Sequence, residues 1–425
     1  MTIAIFLIIL LTSVAIGIPI AFSLLLCSLG LMIHLDMVDP QIMAQSLING
    51  ADNFTLLAIP FFVFAGEVMN VGGLAKRLID LPMKLVGHKA GGLGFVVIIA
   101  AVIMASLSGS PAADTAAIAA IMFPMMMKAK YDPARSTGLI AAGGIIAPII
   151  PPSIPFIVIG VTASVSISQL FMAGIVPGVL MGVALCMMWY FQSRKLETTN
   201  KATGAEIFAA FKSSILALLL PVIVIGGFRL GIFTPTEAGA VASVYALFIS
   251  IFVYREITFK AIYEALLATA KTTAVIMLMV ASAQVSAWLM TVADLPLMVA
   301  EVLKPLASSP TLLMALILVL LMAMGMVLDL IPIVLIMVPV LMPIIREAGI
   351  NEIYFCVMFI FCCSVGLITP PVGNVLNVVS GVTKVPFERA VLGVLPYAGV
   401  LFFLMFLMLL FPSIVIAPME FLTGK

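Results

Sequence analysis

Apolar residues run in long blocks along this chain, and the few polar positions mark where the blocks end or break. Blocks near 3–32, 54–71, 136–163, 170–192, 213–228, 236–254, 272–292, 353–381 and 388–411 read as membrane spans, since about 20 apolar residues cross a bilayer. Two further blocks, 91–127 and 311–345, are longer than one span. The first is cut at Ser108-Gly109-Ser110-Pro111, the second between Asp329 and Pro332. Irregular backbone at membrane depth is tolerated only where it is buried or lines a cavity. Both blocks therefore predict re-entrant helical hairpins, entering and leaving on one face. Segment 73–89, which sets Leu and Ile against Lys and Arg, and segment 257–270, with Lys260 and Glu264 among apolar residues, predict amphipathic helices at the membrane surface. They are either arms bracing a moving part or plain connectors.

The pattern repeats. Ile121-Met-Phe-Pro124-Met-Met126 recurs as Ile336-Met-Val-Pro339-Val-Leu341, and each run follows an aspartate by seven residues, Asp114 and Asp329, at an offset of 215. Pro151-Pro152 recurs as Pro370-Pro371 and Val176-Pro177 as Leu395-Pro396, both at 219; Gly160-Val-Thr162 recurs as Gly381-Val-Thr383 at 221. Five matches in one order make the chain an internal duplication. The expected division is a first repeat over 1–192, a basic loop and connecting helix over 193–235, and a second repeat over 236–425. Apolar segments interrupted by Gly, Pro and Asp in both halves are the signature of a secondary transporter with its site at the repeat interface.

Basic residues give the expected orientation. Lys76, Arg77, Lys84 and Lys89 precede the first hairpin and Lys128, Lys130 and Arg135 follow it, so both flanks read as cytoplasmic. The loop at 164–169 has no base, the next holds Arg194, Lys195, Lys201 and Lys212, and Arg255, Lys260 and Lys271 mark the next but one. The loop at 33–53 carries Asp36, Asp39 and Asp52 and reads as external. This places the N-terminus inside and the C-terminus outside, and makes the second repeat inverted. The fold expected is an all-α polytopic membrane protein with inverted repeats, two re-entrant hairpins and two broken helices.

Composition sharpens the class. Apolar residues make up 64% and charged residues 9% of the 425, against roughly 25% charged in soluble domains. A net charge of +1 gives no case for nucleic acid, and no phosphate-binding motif suggests ATP hydrolysis. Cys27, Cys186, Cys356, Cys362 and Cys363 lie in apolar stretches without metal-ligand spacing. The N-terminal stretch lacks Lys, Arg and a cleavage site, and reads as a first span. His34 and His88 sit in loops, and the Met-rich runs read as packing.

The breaks hold the candidate chemistry. Ser106, Ser108, Gly109, Ser110, Asp114 and Thr115 gather hydroxyls, a glycine and a carboxylate around the first hairpin tip. A helix break frees carbonyl oxygens, and hard cations take oxygen ligands; the opposed helix N-terminus suits a carboxylate. The alternative is that Ser, Gly and Ala simply let helices approach. Asp329 is the second-tip counterpart, either an ion ligand or a helix cap. Thr369, Gly373, Asn374 and Asn377 surround one Pro-Pro break, and Pro152 and Ser153 lie at the other. Thr234-Pro-Thr-Glu237 reads as a capping box, with a functional carboxylate as the other reading of Glu237.

Taken together, Ile59-Pro-Phe-Phe62, Gly66-Glu-Val-Met69, Ser106-Leu-Ser-Gly-Ser110, Ala147-Pro-Ile-Ile-Pro-Pro-Ser153, Phe233-Thr-Pro-Thr-Glu-Ala-Gly239 and Gly366-Leu-Ile-Thr-Pro-Pro371 resemble the large permease subunit of TRAP (tripartite ATP-independent periplasmic) transporters, DctM type, over nearly the whole chain. Val86-Gly-His-Lys89 and Ala283-Gln-Val-Ser-Ala-Trp288 resemble the sugar-acid branch, which includes 2,3-diketogulonate systems. The resemblance implies a multi-pass protein of the bacterial inner membrane and sodium-coupled uptake of a small organic acid. It implies an elevator-type motion and sodium as coupling ion, with no cofactor. It further implies two partners: a small four-span membrane subunit, encoded separately here, and a periplasmic substrate-binding protein. Sodium sites near the hairpin tips would fall on Ser106, Ser108, Asp114 and Asp329. Two readings compete: a channel with two re-entrant loops, and, more remotely, an intramembrane aspartyl protease using Asp114 and Asp329.

Overall fold

The computed structural model describes residues 2–194, 196, 201–303 and 309–423; Lys195 of the basic loop lies outside them. Those residues form helices joined by short turns, with no strand among them.

The first apolar block is two helices. α1 (Thr2–Ala15) and α2 (Ile20–His34) pack side by side. The chain reverses at Gly17, whose φ of +84° favours glycine, and at Pro19, which starts α2 without a backbone N–H. Fourteen and fifteen residues give lengths of about 21 and 22 Å, short of a ~30 Å hydrocarbon core. The single crossing expected at 3–32 is thereby corrected, and the orientation counted from it does not follow. The loop expected at 33–53 contains a third helix, α3 (Pro40–Ala51), capped by Asp39, whose carboxylate accepts from the Gln41 N–H at 2.8 Å.

α4 (Ala58–Val71), extended at its start by a turn over Phe54–Leu57, is long and apolar enough to cross, matching the span expected at 54–71. α5 (Leu74–Val86) is the amphipathic arm: Leu74, Leu78, Ile79 and Leu81 are buried while Lys76 is exposed. Its Arg77 pairs with Glu256 at 2.6 Å and lies 3.8 Å over the Tyr254 ring.

The first hairpin is α6 (Gly92–Ser108) and α7 (Pro111–Lys128), and the first broken helix is α8 (Pro133–Gly144) and α9 (Ile154–Ala163) around an irregular stretch over 145–153. Two long helices follow, α10 (Ile167–Ser193) and α11 (Gly204–Arg229), then α12 (Pro235–Phe248), which widens into a π-helical turn over Ile249–Tyr254. Segment 257–270, expected as a separate surface helix, is instead the start of α13 (Phe259–Val292), 34 unbroken residues. After α14 (Leu295–Leu303) come the second hairpin, α15 (Pro310–Gly325) and α16 (Leu330–Glu347), and the second broken helix, α17 (Glu352–Gly366) and α18 (Asn374–Thr383). The chain closes with α19 (Phe387–Leu410) and α20 (Ser413–Thr423). Among the described residues, seven helical stretches are long and apolar enough to cross a membrane.

Helix bounds reset the repeat register. α7 and α16 have 18 residues each, and both ends differ by 219 (330 − 111; 347 − 128). The Pro-Pro pairs share that offset, and both Pro151–Pro152 and Pro370–Pro371 are cis. Pro124 inside α7 thus matches Pro343 inside α16, four residues beyond the Pro339 suggested by the local wording. The repeat partner of Asp329 is then Ser110, not Asp114.

Helices α2, α3 and α4 pack on α13, and α4 on α12. The hairpins pack instead on the broken helices, α7 on α8 and α18, α15 on α17, and α16 on α9 and α17. α16 also touches α13 across the boundary.

Candidate functional site

Each hairpin tip is built on a helix N-terminus. Ser110 caps α7: its hydroxyl accepts from the Ala113 N–H at 3.4 Å, with Pro111 in the first turn where no N–H is needed. Asp329 caps α16, its carboxylate accepting from the Leu330 N–H at 2.8 Å. Gly109, with φ +61°, turns the first tip. A methyl at Gly109 would come within 3.0 Å of the Ile154 nitrogen, so the tip lies against the start of α9. There Ser153 caps α9, and its hydroxyl donates to the Pro148 carbonyl at 2.6 Å.

The second tip meets its own break in the same way. The Met326 carbonyl accepts from the Val372 and Gly373 N–H groups at 3.2 and 3.1 Å, and the Asn374 side chain donates to the Asp329 carboxylate. Below this point Gly325 and Gly366 bring α15 and α17 into backbone contact: a methyl at Gly366 would sit 2.7 Å from the Gly325 Cα.

Both tips open on one cavity of about 770 Å³. Gly109, Ser110 and Pro111 contribute from the first tip, Asp329 to Pro332 from the second, and Ile154 and Pro155 from the start of α9. The starts of α7, α9 and α16, with the start of α2 opposite them, therefore face the same space. This arrangement favours anions through the helix dipoles, while Ser110, Ser153 and Asp329 already accept from one first-turn N–H group each. The far wall is α13, through Lys271, Thr272, Val275 and Met279, with Pro19 to Phe22 from the start of α2.

Of the residues singled out in the sequence, Gly109, Ser110 and Asp329 line this cavity, and Asn374 reaches it through Asp329. Others spend their polar groups locally. Ser106 donates to Ile103 and Thr115 to Pro111, each within its own helix, both at 2.6 Å, and Thr369 in the second break donates back to Val365 of α17 at 2.8 Å. Asn377 donates to the Val372 carbonyl at 2.9 Å and braces the second break. Pro152 and Ser153 are buried behind the first tip. Asp114 sits one turn into α7, 2% exposed, and does not line the cavity. The side chain of Ser108, at the end of α6, lies outside the described residues. Glu237 closes a capping box with Thr234, which favours its structural reading and leaves it away from the cavity. No group of three or more His, Cys, Asp or Glu side chains is gathered among the described residues, so a cation at either tip would rely on hydroxyl, amide and carbonyl oxygens beside Asp329.

Lys271 is the wall residue that sequence reasoning missed. Taken as a loop marker between a surface helix and a span, it lies inside the unbroken α13. The available signal was a lone lysine entering an apolar run at helical spacing from Val275 and Leu278.

Hairpins, paired breaks and a shared cavity define a polytopic membrane transporter. Residues 7–414 match the family described as the tripartite ATP-independent periplasmic transporter, DctM component. The chain belongs to that family. It is 60% identical to the 2,3-diketo-L-gulonate TRAP transporter large permease protein YiaN of Escherichia coli, over 99% of this chain and all of that one. It is 40% identical, over 96% of each, to the sialic acid TRAP transporter large permease protein SiaM of Vibrio cholerae. The YdaH transporter of Alcanivorax borkumensis, whose crystal structure has an unusual topology, shares the fold with a TM-score of 0.62 at 12% identity, covering 90% of this chain and 86% of that one.

Proposed function

We propose that this chain is the membrane-spanning permease of a sodium-coupled, binding-protein-dependent importer of a sugar acid of the 2,3-diketo-L-gulonate kind. It works with a small membrane subunit and a periplasmic binding protein in the bacterial inner membrane. The observation that carries the reading is the convergence of both hairpin tips on one cavity. Three helix N-termini suit the anion, and the Asp329 carboxylate with nearby oxygens suits a sodium ion. The high identity to the diketogulonate permease supports the choice of acid. The tips stand on helices that pack chiefly on the broken helices, whereas α13 packs chiefly on α2, α3 and α4, with α4 on α6 and α13 on α16 among the contacts that join them. This division supports movement of one group past the other.

The test is uptake of 2,3-diketo-L-gulonate into proteoliposomes holding this chain and its small subunit, with the binding protein outside. Accumulation above the outside concentration that collapses without an inward sodium gradient is expected. Uptake that only equilibrates would favour the channel with re-entrant loops. Accumulation without any binding protein would overturn the tripartite reading.

A further inference from the structure

We infer that Lys271 is a substrate-carboxylate anchor carried on the opposite wall from the hairpin tips; the inference rests on the transport reading of the cavity. Lys271 is exposed, and beyond Thr272 the cavity it lines is apolar along α13, through Val275, Ile276, Leu278 and Met279. These positions share one helix face. Lys271 stands 12 residues into α13, about 18 Å from its start.

The ion pairs among the described residues are Arg77–Glu256, Lys260–Glu264 and Arg346–Glu352, and none involves Lys271. The acid that shares the cavity is Asp329, which is already engaged by the Leu330 N–H and the Asn374 side chain. A lysine facing a cavity from within an apolar helix is costly unless it meets a counter-charge there. The counter-charge that fits is a small carboxylate, since the remaining polar features of the wall, the Ser110 and Thr272 hydroxyls and the positive ends of the helix starts, suit an anion.

The placement also makes the anchor state-dependent. α13 packs mainly with α2, α3 and α4 and touches the hairpin group through α16. A carboxylate held between Lys271 and the tips loses the ammonium when the two groups slide apart. Lys271 thus strengthens binding in the arrangement described here and weakens it in a displaced one, which favours release after movement.

Two measurements test this. In the reconstituted complex, Lys271→Gln should raise the half-saturating 2,3-diketo-L-gulonate concentration at least tenfold. Its half-saturating sodium should remain within about twofold of the parent. Lys271→Arg should recover most of the substrate affinity, and Lys260→Gln on the exposed start of α13 should change neither. A Lys271→Gln complex with unaltered substrate affinity overturns the inference while leaving the transporter reading intact. The second measurement needs no transport: amine-reactive labelling of the unsubstituted complex, read by peptide mass spectrometry. Millimolar 2,3-diketo-L-gulonate should protect Lys271, and an uncharged sugar alcohol should not. Protection without uptake would support the anchor and overturn the transport reading; equal labelling in all three conditions would overturn the anchor.

Discussion

Ser110 and Asp329 hold the same place in the two repeats: each is the residue that caps the second helix of its hairpin, 219 positions apart (329 − 110). One tip carries a hydroxyl there and the other a carboxylate. The first tip turns over two residues and the second over four, and the exchange of hydroxyl for carboxylate at the cap puts the cavity's acid at the second tip. The cavity is therefore electrostatically lopsided.

That asymmetry directs the coupling prediction. Asp329→Asn should raise the half-saturating sodium concentration about tenfold, the equivalent of ~1.4 kcal/mol of lost binding. A carboxylate near a monovalent cation contributes several kcal/mol even at an effective dielectric of about 20. Asp114→Asn should also weaken sodium-driven uptake but by a smaller factor, because Asp114 is buried behind the tip. Sodium titrations of uptake decide the matter. Unchanged sodium dependence with reduced thermal stability would leave both aspartates as structural groups.

Side-by-side packing of α6 with α7 and of α1 with α2 predicts labelling patterns. Cysteines at Lys89 and Lys130 should react with an impermeant reagent from one and the same face of the membrane. A cysteine at Thr2 and one at Asp36 should likewise share a face. Opposite-face labelling of the first pair would remove the re-entrant hairpin; opposite-face labelling of the second would restore a single crossing at 3–32.

Glycine positions separate contact from propensity. Gly366→Ala puts a methyl 2.7 Å from the Gly325 backbone, so α15 and α17 must separate, at a cost of about 1–3 kcal/mol. Gly381→Ala in α18 meets nothing within 4 Å and should be neutral or stabilise by up to ~1 kcal/mol through helix propensity. Thermal unfolding of the two purified variants should move in opposite directions or differ by several degrees.

Arg77 and Glu256 tie the amphipathic arm to the turn before α13. The Arg77 hydrogen bond holds the Glu256 carboxyl below its usual range. A lowered folded value means the pair stabilises above the ordinary carboxylate pKa and is lost as pH falls through the lowered one. Both side chains are partly exposed, 23% and 44%, so the coupling should be under ~1 kcal/mol in a double-mutant cycle. Arg77→Ala should cost more than Glu256→Ala, because Arg77 also donates to the Gly73 carbonyl and stacks on Tyr254. Stability measured between neutral pH and pH 3 should show the coupling vanish in acid.

Apolar block length, proline and glycine breaks and their recurrence were legible in the bare chain, because each acts locally. A Pro-Pro pair ends a helix wherever it stands, and a block of 35 residues with a break in it cannot be one span. The two hairpins, both broken helices, the amphipathic arm and the capping box at Glu237 follow from such rules. The reversal at Gly17 was missed: Gly17 and Pro19 break the apolar run, but a lone glycine and proline also occur inside a single span, and packing of α1 on α2 decided it. Continuity of α13 was hidden for the converse reason. Its amphipathic start and apolar remainder differ in composition, yet nothing between them stops a helix. Repeat register depends on where helices begin, so a four-residue slip, one helical turn, kept the apolar pattern while pairing Asp114 wrongly with Asp329. The cavity itself, with Lys271 facing two tips that lie 162 and 58 residues away in sequence (271 − 109; 329 − 271), exists only after the helices pack, because no local rule relates side chains that far apart.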